Sequence, residues 1–402
     1  FARAGLEVTG IDLDERKVRG VMEGRSYIVD VSDAEIAEQV QAGRLRATTD
    51  FAVISELDTI NICVPTPLRK TKDPDLTYVV SAVNEIRRFL RPGQLVILES
   101  TTYPGTTDEV VRPALESGGL RVGEDFCLAF SPERIDPGNR TFNTRNIPKV
   151  VGGMTARCGE LAKTLYEQSV DTVVAVSSPQ VAEMVKLLEN TFRSVNIGLV
   201  NEIALMCSAL GINVWEVIDA AKTKPFGFMA FYPGPGLGGH CIPIDPFYLS
   251  WKARMNGFDA RFIELAGYIN ESMPRFVVEK VTEALNRNRK SVHGAHIHLL
   301  GVAYKAGVND VRESPALTVM RLLREKGAEI SYSDPFVPHL DEEGIVLESL
   351  PLTNGTLAGV DCAVVLTDHR GVDYGAVLEA VPSVVDTRNA LRGVDSDKII
   401  RL

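Results

Sequence analysis

The segment from Ser178 to Gly211 constrains this chain more than any other. Apart from the interior Gly198 it holds no glycine or proline that could stop a helix, and Ser178 and Pro179 supply an N-cap and a first helical residue. One helix is the simplest reading, about 48 Å long at about 1.5 Å per residue. Its apolar residues, Val181, Val185, Leu188, Phe192, Val195, Leu199, Ile203 and Met206, leave little polar face. Such a helix must be covered on most sides, so it is expected to join two domains and to support a homodimer contact. Its most apolar part, 195–215, is broken by Asn196, Asn201, Glu202 and Asn213 and reads as a buried helix, not a membrane span; no signal peptide is visible.

On both sides of that helix, strand-like runs alternate with helical patterns. Before it the runs lie at 8–12, 59–65, 95–101, 127–133 and 172–178, which implies βα units and a mostly parallel sheet. Three of the loops that follow read VPTP, ESTTYPGTT and SPERIDPG, and in open α/β sheets ligands bind at the carboxyl ends of strands. After it a second helical stretch covers 260–288. A further α/β unit then has strands at 296–304, 328–334, 360–369 and 381–388 and an amphipathic helix at 315–326 ended by Gly327. The expected fold is α/β, with two doubly wound Rossmann-like domains joined by a long central helix. The three domains are expected at 1–177, 178–290 and 291–402.

The chain opens inside an element, because FARAG reads as a helix end stopped at Gly5 before a strand over 6–11. Asp12 then stands where a dinucleotide-binding unit places the acidic residue that binds a ribose hydroxyl, about 20 residues after a glycine-rich turn. Counted back from Asp12, the strand and G-x-G-x-x-G turn fall before Phe1, so both are expected to be missing from this sequence. An aspartate in an ordinary strand-end turn is the alternative.

Charge narrows the functional classes. With 43 basic and 53 acidic residues the formal net charge is −10, and no Lys/Arg run creates a local field for nucleic acid. The six cysteines, Cys63, Cys127, Cys158, Cys207, Cys241 and Cys362, show no CxxC pairing, which argues against a zinc cluster or any other metal site and for a reducing, cytoplasmic compartment.

The segment from Gly238 to Asp245, GGHCIPID, carries the most chemical information. Two glycines let the backbone approach a ligand, cysteine is the strongest common nucleophile, and an aspartate four residues on could orient a water or base beside the sulfur. A buried structural cysteine in a glycine turn is the bland alternative, and His240 alone reads as a loop or core histidine.

GPGLGGHCIPIDPFYLSWKAR, preceded by VAEMVKLLENTFRSVNIGLVNE and SPERIDPG and followed by GVAYKAGVNDVRESP, resembles the UDP-glucose/GDP-mannose dehydrogenase family and, within it, the UDP-N-acetylhexosamine 6-dehydrogenases. The resemblance implies a four-electron, NAD-dependent oxidation of a primary alcohol to a carboxylate through a cysteine thiohemiacetal and thioester. It makes Cys241 the nucleophile and assigns Lys186 and Asn190, four apart on one helix face, to a developing oxyanion. Glu133 and Thr101 correspond to residues that position the attacking water and the sugar hydroxyl, with Asp245 sharing that role. Asp12, Lys17, Thr66, Thr101 and Arg312 match cofactor-binding positions, and the carboxylate of Asp12 favours NAD over NADP. Lys305 and Arg388 match positions that hold the UDP-sugar, together with Arg134 of SPERIDPG, Gly238, and Phe231, Tyr232 and Gly234 of a loop that closes over uridine and sugar. SPERIDPG favours a 2-acetamido sugar, UDP-N-acetyl-D-glucosamine first, for surface polysaccharide synthesis; UDP-N-acetyl-D-mannosamine and UDP-glucose are alternatives. A non-catalytic nucleotide-sugar-binding protein is the rival outside the enzymes.

Overall fold

Short runs of valine, isoleucine and leucine form the strands, because branched side chains pack on a pleated surface and runs buried on both faces seek the centre of a parallel sheet. The computed structural model describes residues 1–28, 31–69, 73–136, 139, 141–239 and 242–402. The chain divides into two compact units, Phe1–Glu189 and Asn190–Leu402.

In the first unit β1 (Val8–Ile11), α1 (Glu15–Met22), α2 (Asp33–Gln41) and β2 (Leu45–Thr48) form a small parallel pair with its helices. Next come β3 (Thr59–Ile62), α3 (Thr77–Phe89), β4 (Leu95–Leu98), α4 (Arg112–Glu116), β5 (Cys127–Phe130), β6 (Lys149–Gly153), α5 (Ala156–Tyr166) and β7 (Val173–Val176). These five strands lie in the order β3-β4-β5-β6-β7, parallel except where β5 meets β6. All four residues of β4 and of β5 are buried. Val96, Leu98, Leu128 and Phe130 pack toward Val79, Val83 and Ile86 of α3, while Ile97, Ala129 and Val151 face Cys158, Ala162 and Tyr166 of α5.

Two of these strands were not read from the sequence. β2 is Leu-Arg-Ala-Thr, too polar to stand out, and β6 ends in Gly152-Gly153, which resembles a turn. Those glycines serve packing: a Cβ would lie 2.1 Å from Ser178 O at Gly152 and 2.1 Å from Gly159 N at Gly153.

α6 (Pro179–Leu210) is the expected long helix of 32 residues. Ser178 Oγ accepts from Val181 N at 3.3 Å, and Gly211, with φ 69°, ends it. The expectation of one buried helix over 195–215 is corrected. Gly211 stops α6, Asn213 caps a new α7 (Val214–Ala221), and Leu199, Met206 and Leu210 are exposed.

The second unit continues with α8 (Asp245–Met255), α9 (Arg261–Arg287), β8 (His296–Leu300), α10 (Pro315–Glu325), β9 (Glu329–Ser333) and the antiparallel hairpin of β10 (His339–Glu342) and β11 (Ile345–Glu348). It ends with α11 (Asn354–Leu357), β12 (Cys362–Val365), α12 (Tyr374–Ala380), β13 (Val384–Asp386) and β14 (Ile399–Arg401). The sheet order is β14-β13-β12-β8-β9, all parallel. Its core joins Ile297, Leu299 and Val364 to Val277, Val281 and Leu285 of α9 and to Val319 and Leu323 of α10. Strand order reverses between β8 and β12, which makes the loops at their carboxyl ends a natural ligand crevice. Among the described residues no helix is long and apolar enough to cross a membrane.

Candidate functional site

Within the first unit, Thr66, Thr101 and Glu133 follow β3, β4 and β5, three adjacent parallel strands. Ser100 Oγ joins two of these ends, accepting from Val64 N at 2.9 Å and donating to Val64 O at 2.8 Å. Glu133 Oε1 accepts from Arg134 N at 2.7 Å and Ile135 N at 2.8 Å, and Lys149 Nζ donates to Oε2 at 3.0 Å. Burial would raise this carboxyl, but Lys149 and the two backbone donors outweigh it and hold it below the ordinary range. The Arg134 guanidinium donates to Glu189 Oε1 at 2.6 Å and Pro148 O at 2.6 Å, which fixes its direction.

Asp12 ends β1 with Oδ1 accepting from Asp14 N at 2.8 Å and Oδ2 paired with Lys17 Nζ at 3.1 Å, both side chains half-exposed. This donor set fits the ribose end of a dinucleotide, since an accessible carboxylate accepts hydroxyls and repels a 2′-phosphate.

In the second unit the Asn190 amide on α6 donates to Asp245 Oδ2 at the start of α8, and the two residues are 6% and 3% exposed. Lys186, one turn earlier on α6 and within the first unit, is 9% exposed, and no carboxylate pairs with it among the described residues. Cys241 and His240 lie outside the described residues. The segment that leads to them is tightly seated. Gly239 has φ 84° and donates its N–H to Arg312 O at 3.1 Å, and a Cβ on Gly238 would lie 2.7 Å from Tyr304 Cβ. No larger residue fits there without moving the backbone that carries Lys305 and Arg312.

Lys305 follows β8 and Arg388 follows β13. Arg388 Nε donates to Leu366 O at 2.8 Å, and a Cβ on Gly234 would lie 2.5 Å from its Nη1. Gly234 N donates to Asn201 Oδ1 at 3.0 Å, and Asn201 in turn donates to Asn270 at 2.9 Å. Phe231 and Tyr232, at the start of that loop, face other neighbours. Phe231 meets Phe192 edge-on at 5.7 Å, and Tyr232 stacks on Trp215 at 6.1 Å and binds Asp219 at 3.0 Å. The Arg312 guanidinium grips Asp310, with Nη2 to Oδ2 at 2.6 Å.

The residues missed from the sequence are Lys149, Glu99, Tyr166 and Asn61, which form a polar network behind Glu133. Lys149 Nζ donates to Glu99 Oε2 at 2.8 Å, and the Tyr166 hydroxyl and the Asn61 amide donate to Glu99 Oε1. No local spacing announces this group, because it assembles only when β6 lies beside β5. Among the described residues no cluster of three metal-ligating side chains occurs.

Comparison with known proteins matches the chain to the UDP-glucose/GDP-mannose dehydrogenase family in three parts: the NAD binding domain over residues 1–170, the central domain over 180–272 and the UDP binding domain over 298–393. The chain is 35% identical over 398 residues to a UDP-N-acetyl-D-mannosamine dehydrogenase from Pyrococcus horikoshii, covering 98% of this chain and 92% of that protein. It is also 35% identical over 370 residues to a UDP-N-acetyl-D-glucosamine 6-dehydrogenase from Pseudomonas aeruginosa, covering 91% and 86%. The solved structure of the UDP-D-ManNAc dehydrogenase from Pyrococcus horikoshii superposes with a TM-score of 0.91 at 33% identity, covering 100% of this chain and 94% of that one.

Proposed function

Because the chain belongs to the UDP-glucose/GDP-mannose dehydrogenase family of NAD-dependent oxidoreductases, we propose that it oxidises C6 of a UDP-N-acetylhexosamine to the uronic acid through Cys241. The observation that carries this reading is the buried bond between Asn190 and Asp245. It orients an amide on α6 at the foot of the segment that bears Cys241, in the same helix as Lys186.

When bound, NAD+ would supply the hydride acceptor for each of the two oxidations. Asp12 and Lys17 would hold its adenosine ribose, and Thr66, Thr101 and Arg312 match further cofactor-binding positions. Lys305 and Arg388 would hold the UDP-sugar, with Arg134, Gly238 and the loop of Phe231, Tyr232 and Gly234 as further substrate-binding positions. The C6 hydroxyl loses its proton to water and the C6 carbon loses a hydride, which leaves an aldehyde. Cys241 sulfur adds to that carbon, forming a thiohemiacetal whose oxygen is stabilised by the Lys186 ammonium and the Asn190 amide. Loss of the second hydride leaves a thioester. Water, oriented by Glu133 with Thr101 and Asp245, attacks the acyl carbon, breaks the C–S bond and releases the acid and the free thiol.

SPERIDPG favours a 2-acetamido sugar, with UDP-N-acetyl-D-glucosamine first. UDP-N-acetyl-D-mannosamine is the second reading, favoured by the name of the Pyrococcus horikoshii relative. The domain roles follow as dinucleotide binding by 1–177, the cysteine and dimer contact by 178–290, and UDP-sugar binding by 291–402. A cytoplasmic enzyme feeding surface polysaccharide synthesis fits the described cysteines, all free thiols.

The test is NADH release against a panel of UDP-sugars, with two NADH expected per uronic acid. Cys241→Ala should abolish acid formation while UDP-sugar binding stays within about tenfold, since the thiol acts after binding. Acid formation at the parental rate by that variant would remove the cysteine from the mechanism.

A further inference from the structure

We propose that Lys149 is a positioning residue for the hydrolytic step, fixing the rotamer and the ionised form of Glu133 by sharing one buried ammonium between Glu133 and Glu99. The inference rests on the reading of Glu133 as the group that orients the attacking water. Lys149 opens β6, where antiparallel pairing with β5 carries its side chain to the strand end that bears Glu133. Its Nζ lies 2.8 Å from Glu99 Oε2 and 3.0 Å from Glu133 Oε2.

The two carboxylates are not equivalent. Glu99 is closed off: its side chain is 12% exposed, and its other oxygen is taken by Tyr166 and Asn61. Glu133 keeps 46% of its side chain exposed at the end of a strand that faces the ligand side of the sheet. One cation for two carboxylates leaves the cluster with a net charge of −1, and the accessible oxygens that carry it belong to Glu133.

The surroundings add no competing charge. Tyr166 from α5 stays a neutral donor, pushed up by burial and then by Glu99. Arg134, next to Glu133, is committed to Glu189. Burial would discharge Lys149, but Glu99 and Glu133 outweigh it and keep the ammonium charged. A carboxylate held in this way is a weak proton abstractor near neutral pH and a constant acceptor, which suits it to aim a water molecule.

The test is the pH dependence of kcat and KM for NADH release in the parental enzyme, Lys149→Met, Lys149→Arg and Glu133→Gln. Losing a cation at this range raises a carboxyl by about one pH unit or more. Lys149→Met should therefore move the acid limb of kcat up by about that amount, so that kcat falls about tenfold more at the acid end than at pH 8.5, with KM for the UDP-sugar little changed. Lys149→Arg should restore the parental limb. A folded Lys149→Met enzyme with the parental limb overturns the proposal. If Lys149→Met does not fold by circular dichroism, Glu99→Gln decides. It leaves the ammonium to Glu133 alone and should move the limb down, and an unmoved limb overturns the proposal. Glu133→Gln tests the underlying reading by itself: parental turnover in that variant removes Glu133 from the water step whatever Lys149 does.

Discussion

A buried ammonium with no carboxylate beside it is expensive, so its retention argues for a task. Lys186 has that character among the described residues, whereas an ordinary helix lysine would reach solvent. If it stabilises the oxygen on which charge develops, Lys186→Ala should lower kcat by about 10²–10³ and change KM little. Asn190→Ala should do the same less severely, and the double variant should be less than additive, since both groups act on one oxygen. Steady-state kinetics on the three variants decide it, and a near-parental kcat for Lys186→Ala would leave α6 as packing only. Asp245 holds the Asn190 amide by a buried hydrogen bond, beside its proposed part in orienting the water. Asp245→Ala should therefore resemble Asn190→Ala in kcat, and a combined loss equal to the sum of the two would refute that link. Lys186, Asn190 and Asp245 were singled out in the sequence through the family resemblance, which attaches each to a short motif. Lys149 was not, since its partners lie 16 and 50 positions away.

At the level of elements, the pairing of β8 with β9 makes a pH-sensitive joint. Register sets His298 opposite Ser331, and the fully buried imidazole shares its nitrogens with Ser331 Oγ at 2.8 Å and Ser333 Oγ at 2.9 Å. Burial, and then His296, lower its pKa to about 4. The unfolded chain binds that proton near pH 6.5, so the stability held by the neutral ring is complete above that pH and is lost as pH falls from about 6.5 through about 4. The full effect is roughly 3 kcal/mol at about 1.4 kcal/mol per unit. His298→Gln should flatten the fall in melting temperature between pH 7.5 and 4.5, and an equal fall in both proteins would rule the joint out. The strands themselves could be read from their apolar runs, but the serines that receive His298 depend on register, which the runs do not encode.

For the whole molecule, the open face of α6 poses the largest question. Met184, Leu188, Leu199 and Met206 are exposed along one helix, more apolar surface than a solvated helix ordinarily keeps. A second copy of the chain is the proposed cover. Leu199→Glu combined with Met206→Glu should shift the protein from dimer to monomer in sedimentation velocity at micromolar concentration, with the helical content retained. A parental protein that sediments as a monomer would overturn the dimer. The order of amino acids alone determined the alternation of strands and helices and the long helix with its serine cap and glycine stop, because periodicity and capping act within a turn or a strand. Tertiary structure decided which strands are neighbours, that α6 keeps an open stripe, and that Lys149, Glu99 and Glu133 meet. The reason is physical: pairing between strands far apart in sequence is settled by the closing of a shared core, and no local stretch of chain carries a signature of it.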